Sequence, residues 1–188
     1  MSERLADTFG PSALATPANA ITAGRLLMTP PLLAVILDGH HGWIATGLWI
    51  ALAVTDGADG WIARRQGATR SGAFLDPLAD KILVLGAMAA LVVKHRFWWV
   101  PVVLIAVREI GVSAYRSFMG RQGVSVPARP WAKAKTVVQD VAVGFALLPT
   151  TASHHWEANA CLWAAVVLTL VTGAQYLMDG RRVPARAV

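Results

Sequence analysis

Six long apolar runs, joined by short polar connections, dominate the pattern of this sequence. They cover about residues 21–38, 43–63, 73–93, 98–118, 133–149 and 159–178. Each run is close to the ~17–25 residues that a helix needs to cross a bilayer. Backbone polar groups inside lipid must be satisfied within their own segment, which a helix achieves. The pattern therefore predicts an all-α membrane protein with six transmembrane helices.

The segments outside these runs are too short to form another domain. Residues 1–20 have no compact apolar core, so we expect an N-terminal segment of cytoplasmic location, with room for an interfacial helix, rather than a secretory signal. Residues 21–178 are expected to form one six-helix domain, and residues 179–188 a basic cytoplasmic tail.

The composition supports the membrane class over a soluble one. The chain is 55% hydrophobic and only 15% charged, with a mean hydropathy of +0.50, which leaves little polar surface for a soluble domain of 188 residues. The net charge of +6 would suggest nucleic acid in a soluble protein. Here the basic residues cluster between apolar runs, so we expect membrane lipids and no nucleic acid as partners. The single cysteine excludes a disulfide framework within the chain and a cysteine zinc site.

The basic residues fall mainly on one side of the predicted bundle. Only Lys94 and Arg96 lie in connections on the other side, against twelve in the connections and termini of the first side. The positive-inside rule then places both termini and the loops 64–72 and 119–132 in the cytoplasm. Tryptophans at the predicted outer helix ends agree with an aromatic belt; they are Trp43, Trp98, Trp99 and Trp156.

Four aspartates lie at the predicted cytoplasmic edge of two consecutive runs. Asp56 and Asp59 close the second run, and Asp76 and Asp80 open the third. Spacings of three and four residues put each pair on one helix face, and the short connection predicts neighbouring antiparallel helices on which the carboxylates converge. Such a cluster would repel itself, and oxygen ligands favour Mg²⁺ or Mn²⁺. Two ions could clamp a phosphoryl group; the alternative is pairing of these acids with nearby Arg and Lys.

Small residues surround these aspartates and leave the helix faces almost bare. Gly60, Ala63 and Gly72 are among them, and Arg64 adds a planar cation suited to phosphate. Close helix packing in a membrane would use the same small residues. Beside carboxylates, they equally leave room for a bulky ligand.

The order Asp56-x2-Asp59-Gly60-x2-Ala63-Arg64-x7-Gly72-x3-Asp76-x3-Asp80 resembles the signature of the CDP-alcohol phosphatidyltransferases. The six-helix layout is similar to that family too, with the active site on the cytoplasmic side. The resemblance implies that four carboxylates bind two ions of Mg²⁺ or Mn²⁺; they are Asp56, Asp59, Asp76 and Asp80. It further implies that Asp80 is the general base.

The resemblance also implies a pocket for the nucleotide of a CDP-lipid. Its residues would be Gly60, Ala63, Arg64 and Gly72, with Asn19 and Thr22 added by the stretch "PANAITAGR". Seven residues separate Arg64 from Gly72, where the family usually has eight. Which of Thr69 or Arg70 faces the nucleotide is therefore left open.

Three further stretches, "DPLADK", "REIGVS" and "AKAKTVVQ", resemble the bacterial phosphatidylglycerophosphate synthases within that family. The likeness implies transfer of a phosphatidyl group from CDP-diacylglycerol to sn-glycerol 3-phosphate, with release of CMP, by an integral protein of a bacterial cell membrane that forms a homodimer. Four basic residues near cytoplasmic helix ends could bind the acceptor phosphate, or serve topology alone; they are Arg108, Arg116, Lys133 and Lys135. Inositol phosphate and phosphatidylglycerol remain alternative acceptors. Glu109 and Asp140 are expected to pair with this basic set.

Two other classes of protein fit the pattern less well. A membrane prenyltransferase also holds a diphosphate with aspartates and Mg²⁺, but normally has more helices and two separated Asp-rich motifs. A cation carrier would place acids at mid-membrane depth on several helices, whereas these crowd one face of the membrane.

Overall fold

The structure is a computed structural model that describes residues 17–66, 72–121, 130–151 and 156–182. For several helix ends it describes the backbone alone, namely for 17–19, 56–66, 72–76, 116, 120–121, 130–133 and 176–182. The described residues form six α-helices and a short 3-10 turn at Pro149–Thr151. The helices are α1 (Pro17–Asp38), α2 (Gly42–Gln66), α3 (Gly72–Val93), α4 (Trp99–Arg121), α5 (Pro130–Leu147) and α6 (Trp156–Arg182).

The six predicted helices are confirmed, and their ends differ from the apolar runs in one systematic way. At the end of the bundle where the chain carries its basic connections, here called the basic end, all six helices extend beyond the apolar runs. For example, α1 begins at Pro17 rather than residue 21, and α6 continues to Arg182 rather than residue 178. At the opposite end the helices stop within three residues of the predicted positions.

Two helices organise the packing of the bundle. In the described residues, α1 packs against both α2 and α3, while α6 packs against both α4 and α5. The two groups meet where α3 contacts α4 and α5, and where α2 contacts α5. The helices that carry the aspartates therefore share α1 as a neighbour, and the convergence of their carboxylates stays a prediction.

The interior changes in character along the bundle. Towards the opposite end it is built from close-packed apolar side chains, including Leu32, Ile36, Met88, Leu91 and Leu162, each at most 4% exposed. From the middle towards the basic end, buried polar side chains lie among the apolar ones; they are Thr22, Arg25, Thr29, Glu109, Lys135, Gln139, Thr169 and Thr172, whereas Thr46 is buried near the opposite end. Because burying such groups costs free energy unless they find partners, this polar half is where a function is to be sought.

The outside of the bundle is apolar. Large hydrophobic side chains such as Leu27, Val107 and Ile110 are more than 60% exposed, far beyond the scattered apolar residues of a soluble surface. Trp43, Trp98, Trp99 and Trp156 are exposed at the opposite end, as an aromatic belt requires. By length and hydropathy, two helices qualify as membrane spans, Ala20–Asp38 and Trp156–Gln175, and Gly42–Thr55 is a shorter apolar helix.

Candidate active site

The four aspartates lie within helices. α2 continues through Asp56 and Asp59 as far as Gln66, and α3 begins four residues before Asp76. The helical backbone therefore puts each pair on one helix face, as its spacing predicts. The side chains of Asp56, Asp59 and Asp76 lie outside the described residues, whereas Asp80 is half-buried and takes part in a polar or electrostatic interaction.

The donor chemistry of these positions fits a hard divalent cation. All four side chains offer carboxylate oxygen, which suits Mg²⁺ or Mn²⁺ and not a softer metal. Among the side chains that the structure describes, no group of three or more His, Cys, Asp or Glu comes together in a way that would hold a metal. The four aspartates remain the candidate metal site, because the side chains of Asp56, Asp59 and Asp76 are not among those that the structure describes.

Of the predicted nucleotide residues, Thr22 is the one with a described side chain. It is 1% exposed and lies inside the bundle on the same face of α1 as Arg25. The structure describes only the helical backbone at the other positions, which are Asn19, Gly60, Ala63, Arg64 and Gly72. Thr69 and Arg70 fall entirely outside the described ranges.

A buried ion cluster joins α4, α5 and α6 in the polar half. The Arg108 side chain donates from Nη1 to Glu109 Oε1 at 3.0 Å and from Nη2 to Thr172 Oγ1 at 2.7 Å. Lys135 Nζ donates to the same Glu109 oxygen. The side chains of Arg108 and Lys135 are 8% exposed and that of Glu109 is 10% exposed. The pairing expected for Glu109 is confirmed, and two of the four predicted acceptor residues come together on it.

A second hydrogen-bonded pair extends the polar interior beside this cluster. Gln139 Nε2 donates to Thr169 Oγ1 at 3.2 Å. The Thr172 hydroxyl, while accepting from Arg108, donates to the backbone oxygen of Leu168 at 2.7 Å. Gln139 and Lys135 are four residues apart on α5, and Thr169 and Thr172 three apart on α6, so each pair shares one face.

Gln139, Thr169 and Thr172 were not among the residues predicted to form the site. Their signal was present as helix-spaced polar residues within otherwise apolar runs, which in a membrane tend to face protein rather than lipid.

In the hydrogen bonds that the structure describes, the ion cluster has two cations and one carboxylate. One carboxylate faces Arg108 and Lys135, and Lys81, the residue after Asp80 on α3, is close enough to Lys135 for the two ammonium groups to repel. In the described residues Glu109 is the hydrogen-bond partner of Lys135. The side chains of Arg116 and Lys133, the other predicted acceptor residues, lie outside the described residues.

Arg108 also borders an apolar pocket of about 540 Å³ between α4 and α6. Gly173 forms part of its wall, and a Cβ atom there would lie 3.1 Å from Arg108 Nε. The close approach of the α6 backbone thus depends on glycine and keeps the guanidinium group in place.

The family model that matches this chain and two of its bacterial relatives are phosphatidyltransferases by name. Residues 15–171 match the sequence profile described as CDP-alcohol phosphatidyltransferase. A probable phosphatidylglycerophosphate synthase of Mycobacterium tuberculosis (strain CDC 1551 / Oshkosh) is 40% identical over 180 residues, covering 92% of this chain and 85% of the relative.

Two enterobacterial relatives carry the name CDP-diacylglycerol–glycerol-3-phosphate 3-phosphatidyltransferase. The protein of Salmonella choleraesuis (strain SC-B67) is 36% identical over 169 residues, which cover 86% of this chain and 92% of the relative. That of Escherichia coli (strain K12) is 40% identical over 139 residues, which cover 71% of this chain and 76% of the relative.

Proposed function

Because the chain belongs to the CDP-alcohol phosphatidyltransferase family, we propose that it transfers a phosphatidyl group from CDP-diacylglycerol to the hydroxyl of sn-glycerol 3-phosphate, releasing CMP. The observation that supports a phosphorylated acceptor is the buried cluster of Arg108, Glu109 and Lys135. The names of the relatives support the same reaction.

The reaction needs one bond to form and one to break at the phosphorus that bears the diacylglycerol. The acceptor hydroxyl oxygen bonds to this phosphorus, the bond to the CMP oxygen breaks, and the hydroxyl proton passes to the Asp80 carboxylate. Divalent ions, held by Asp56, Asp59, Asp76 and Asp80, would neutralise the diphosphate and make CMP a better leaving group. The protein's remaining contribution is positioning of the two substrates in a preorganised polar interior.

The ion cluster supplies the recognition of a phosphorylated acceptor. Glu109 holds Lys135 and Arg108 in fixed positions, and the surplus positive charge attracts a phosphate dianion strongly because it lies in a medium of low dielectric constant. Lys135 makes one hydrogen bond in the described residues, to Glu109, whereas Arg108 donates from Nη1 to Glu109 and from Nη2 to Thr172 and keeps a buried Nε–H without a partner among the described residues. In this proposal Lys135 is the phosphate ligand, and Arg108 is the residue that orients Glu109.

The proposal includes an orientation in the membrane. Six spans with both termini and the active site on the cytoplasmic side are supported by the apolar exterior and by exposed tryptophans at the opposite end. The proposed location is a bacterial cell membrane, because the relatives are bacterial and the names of two of them include the lipid CDP-diacylglycerol. A homodimer is proposed from family resemblance alone, and cross-linking in detergent would test it.

The test is an acceptor panel on the detergent-purified protein. CDP-diacylglycerol and Mg²⁺ are supplied with sn-glycerol 3-phosphate, inositol phosphate, phosphatidylglycerol or no acceptor, and CMP release is measured. We expect release with sn-glycerol 3-phosphate alone. Release with a different acceptor would leave the chemistry standing and replace the acceptor, whereas no release with any acceptor would reject the reaction.

A further inference from the structure

One buried cation has no role in the function proposed above. A continuous stripe on α1 faces the interior at alternating spacings of three and four residues; it consists of Thr22, Arg25, Thr29, Leu32 and Ile36. Arg25 is 1% exposed and is the largest of the fully buried side chains in the described residues. A guanidinium group buried this deeply is expected to face negative charge, since its desolvation is otherwise very costly.

The register between α1 and α3 shows which part of α3 lies beside Arg25. A Cβ atom on Gly86 would lie 3.3 Å from the Leu33 side chain, and Lys94 Nζ donates to the Leu37 backbone oxygen at 3.2 Å. Both contacts advance in the same direction along the two helices, so α1 and α3 run parallel. Because both helices rise equally per residue, counting back equally from Leu33 and Gly86 places Arg25 level with Leu78, and counting back equally from Leu37 and Lys94 places it level with Ile82.

Asp80 lies between these two levels of α3, and Asp76 precedes the first of them by two residues. The neighbouring residue of α3 on the buried face is Ala79, which is 0% exposed, and its small side chain leaves space between the helices at this point. Arg25 and Asp80 each take part in a polar or electrostatic interaction. The register and the burial together bring a fixed positive charge to the aspartate turns of α3.

We propose that Arg25 is a positioning residue of the aspartate site and acts as its built-in countercharge; this rests on the proposed function, which makes the aspartates the metal ligands. Carboxylates gathered in one place repel each other, and the guanidinium group relieves that repulsion while the ions are absent. Arg25 therefore competes electrostatically with the divalent ions. Its loss should tighten ion binding and at the same time misplace the carboxylates for catalysis.

The test measures Mn²⁺ binding by electron paramagnetic resonance on the donor-free protein in detergent. Wild type is compared with Arg25→Gln, Arg25→Lys and the control Thr29→Val, which lies one turn away on the same buried stripe. We expect Arg25→Gln to bind Mn²⁺ about fivefold or more tightly than wild type, because a nearby like charge has been removed. Arg25→Lys and Thr29→Val should stay within about twofold of wild type, since both keep the positive charge at this position.

Two further readouts accompany the binding measurement. Saturating Mg²⁺ should raise the Tm of Arg25→Gln more than that of wild type, since tighter binding gives greater stabilisation, while the turnover of Arg25→Gln should fall about tenfold or more. Unchanged or weaker Mn²⁺ binding in folded Arg25→Gln overturns the proposal, because a merely structural arginine would give that result. An equal change in Thr29→Val overturns it as well.

Folding failure is also informative. If Arg25→Gln does not fold alone, Arg25→Met, with an unbranched side chain of adaptable packing, takes its place. Failure of both variants even in excess Mg²⁺ overturns the proposal, because the ion should replace the missing charge. Since Mn²⁺ binding needs neither donor nor acceptor, a protein that releases no CMP in the acceptor panel but shows the tighter binding in Arg25→Gln would reject the proposed reaction and retain the countercharge.

Discussion

Lys135 of α5 and Arg108 of α4 donate hydrogen bonds to the same carboxylate oxygen of Glu109, deep in the interior. The three side chains are about nine-tenths buried. One negative charge thus faces two positive charges where water screens little. In the proposed function an anionic substrate adds negative charge to this arrangement.

Lys135→Ala should raise the KM for sn-glycerol 3-phosphate about tenfold or more, because a hydrogen bond to a charged group is worth about 1.5–3 kcal/mol. The kcat should change much less, since Lys135 would bind the phosphate of the acceptor in the proposed function and not the reacting hydroxyl. Steady-state rates of CMP release against acceptor concentration would show both parameters.

Lys94→Ala is the matched control for this lysine. Lys94 lies at the opposite end, where it donates to the Leu37 backbone oxygen, so its loss should leave the acceptor KM unchanged. An unchanged KM in Lys135→Ala would remove Lys135 from the acceptor site.

Glu109→Gln should destabilise the bundle. The amide cannot compensate the positive charges of Arg108 and Lys135, and breaking a buried ion pair costs about 3–5 kcal/mol. We expect a clearly lower Tm in detergent, measured from thermal unfolding monitored by intrinsic fluorescence or circular dichroism. The acceptor KM should rise as well, because Lys135 loses the group that holds it.

Glu157→Gln provides the comparison for a second glutamate. Glu157 Oε2 is buried without a hydrogen-bond partner in the described residues, and the residue lies in the first turn of α6. Its charge there gains about 0.3–1 kcal/mol from the helix dipole, so this change should cost little. Equal losses of stability in the two variants would argue against the ion cluster as the source of the effect.

The helices could be predicted from the sequence because lipid imposes a simple rule on long apolar runs. The helix ends at the basic end of the bundle could not be predicted from the apolar runs. Charged residues such as Arg121 and Arg182 are good helix formers, and the helices continue through them past the apolar runs. Apolar composition marks where lipid begins, and helix propensity decides where the helix stops.

The pairing of Glu109 could also be predicted, since an acid within an apolar run must find a partner. Its joint partnership with Arg108 and Lys135, and the contact of Arg108 with Thr172, could not. Residues 108 and 172 are separated by 64 positions, and only the packing of α4 on α6 brings them together. The burial of Arg25 could not be predicted either, because the face of α1 that turns inward depends on the positions of α2 and α3.

Gly173→Ala should displace Arg108 and lower stability by about 1–3 kcal/mol, as expected when an extra carbon enters a well-packed site. The new Cβ atom would lie 3.1 Å from Arg108 Nε and 3.3 Å from its Cγ. The Tm in detergent measures this loss. Gly111→Ala is the control, because a Cβ atom there meets no neighbouring atom within 4 Å, and alanine should stabilise α4 by about 1 kcal/mol through its helix propensity. A Tm that falls equally in both variants would contradict the role of Gly173 in seating Arg108.

Asp80→Asn should nearly abolish turnover while leaving CDP-diacylglycerol binding largely intact. The amide cannot accept the acceptor's proton, and the loss of a general base lowers kcat by about 10²–10⁴-fold. Three aspartates remain to hold the ions and the donor. CMP release gives the turnover, and equilibrium binding of labelled donor gives the affinity.

Asp38→Asn is the control for this change, because Asp38 lies at the opposite end, hydrogen-bonded to His41 at 3.0 Å, and should keep full activity. Lost donor binding with normal turnover per bound donor in Asp80→Asn would assign Asp80 to the metal ions alone. The proton would then have to leave through another group, and the remaining candidates are the other three aspartates of the same two helices.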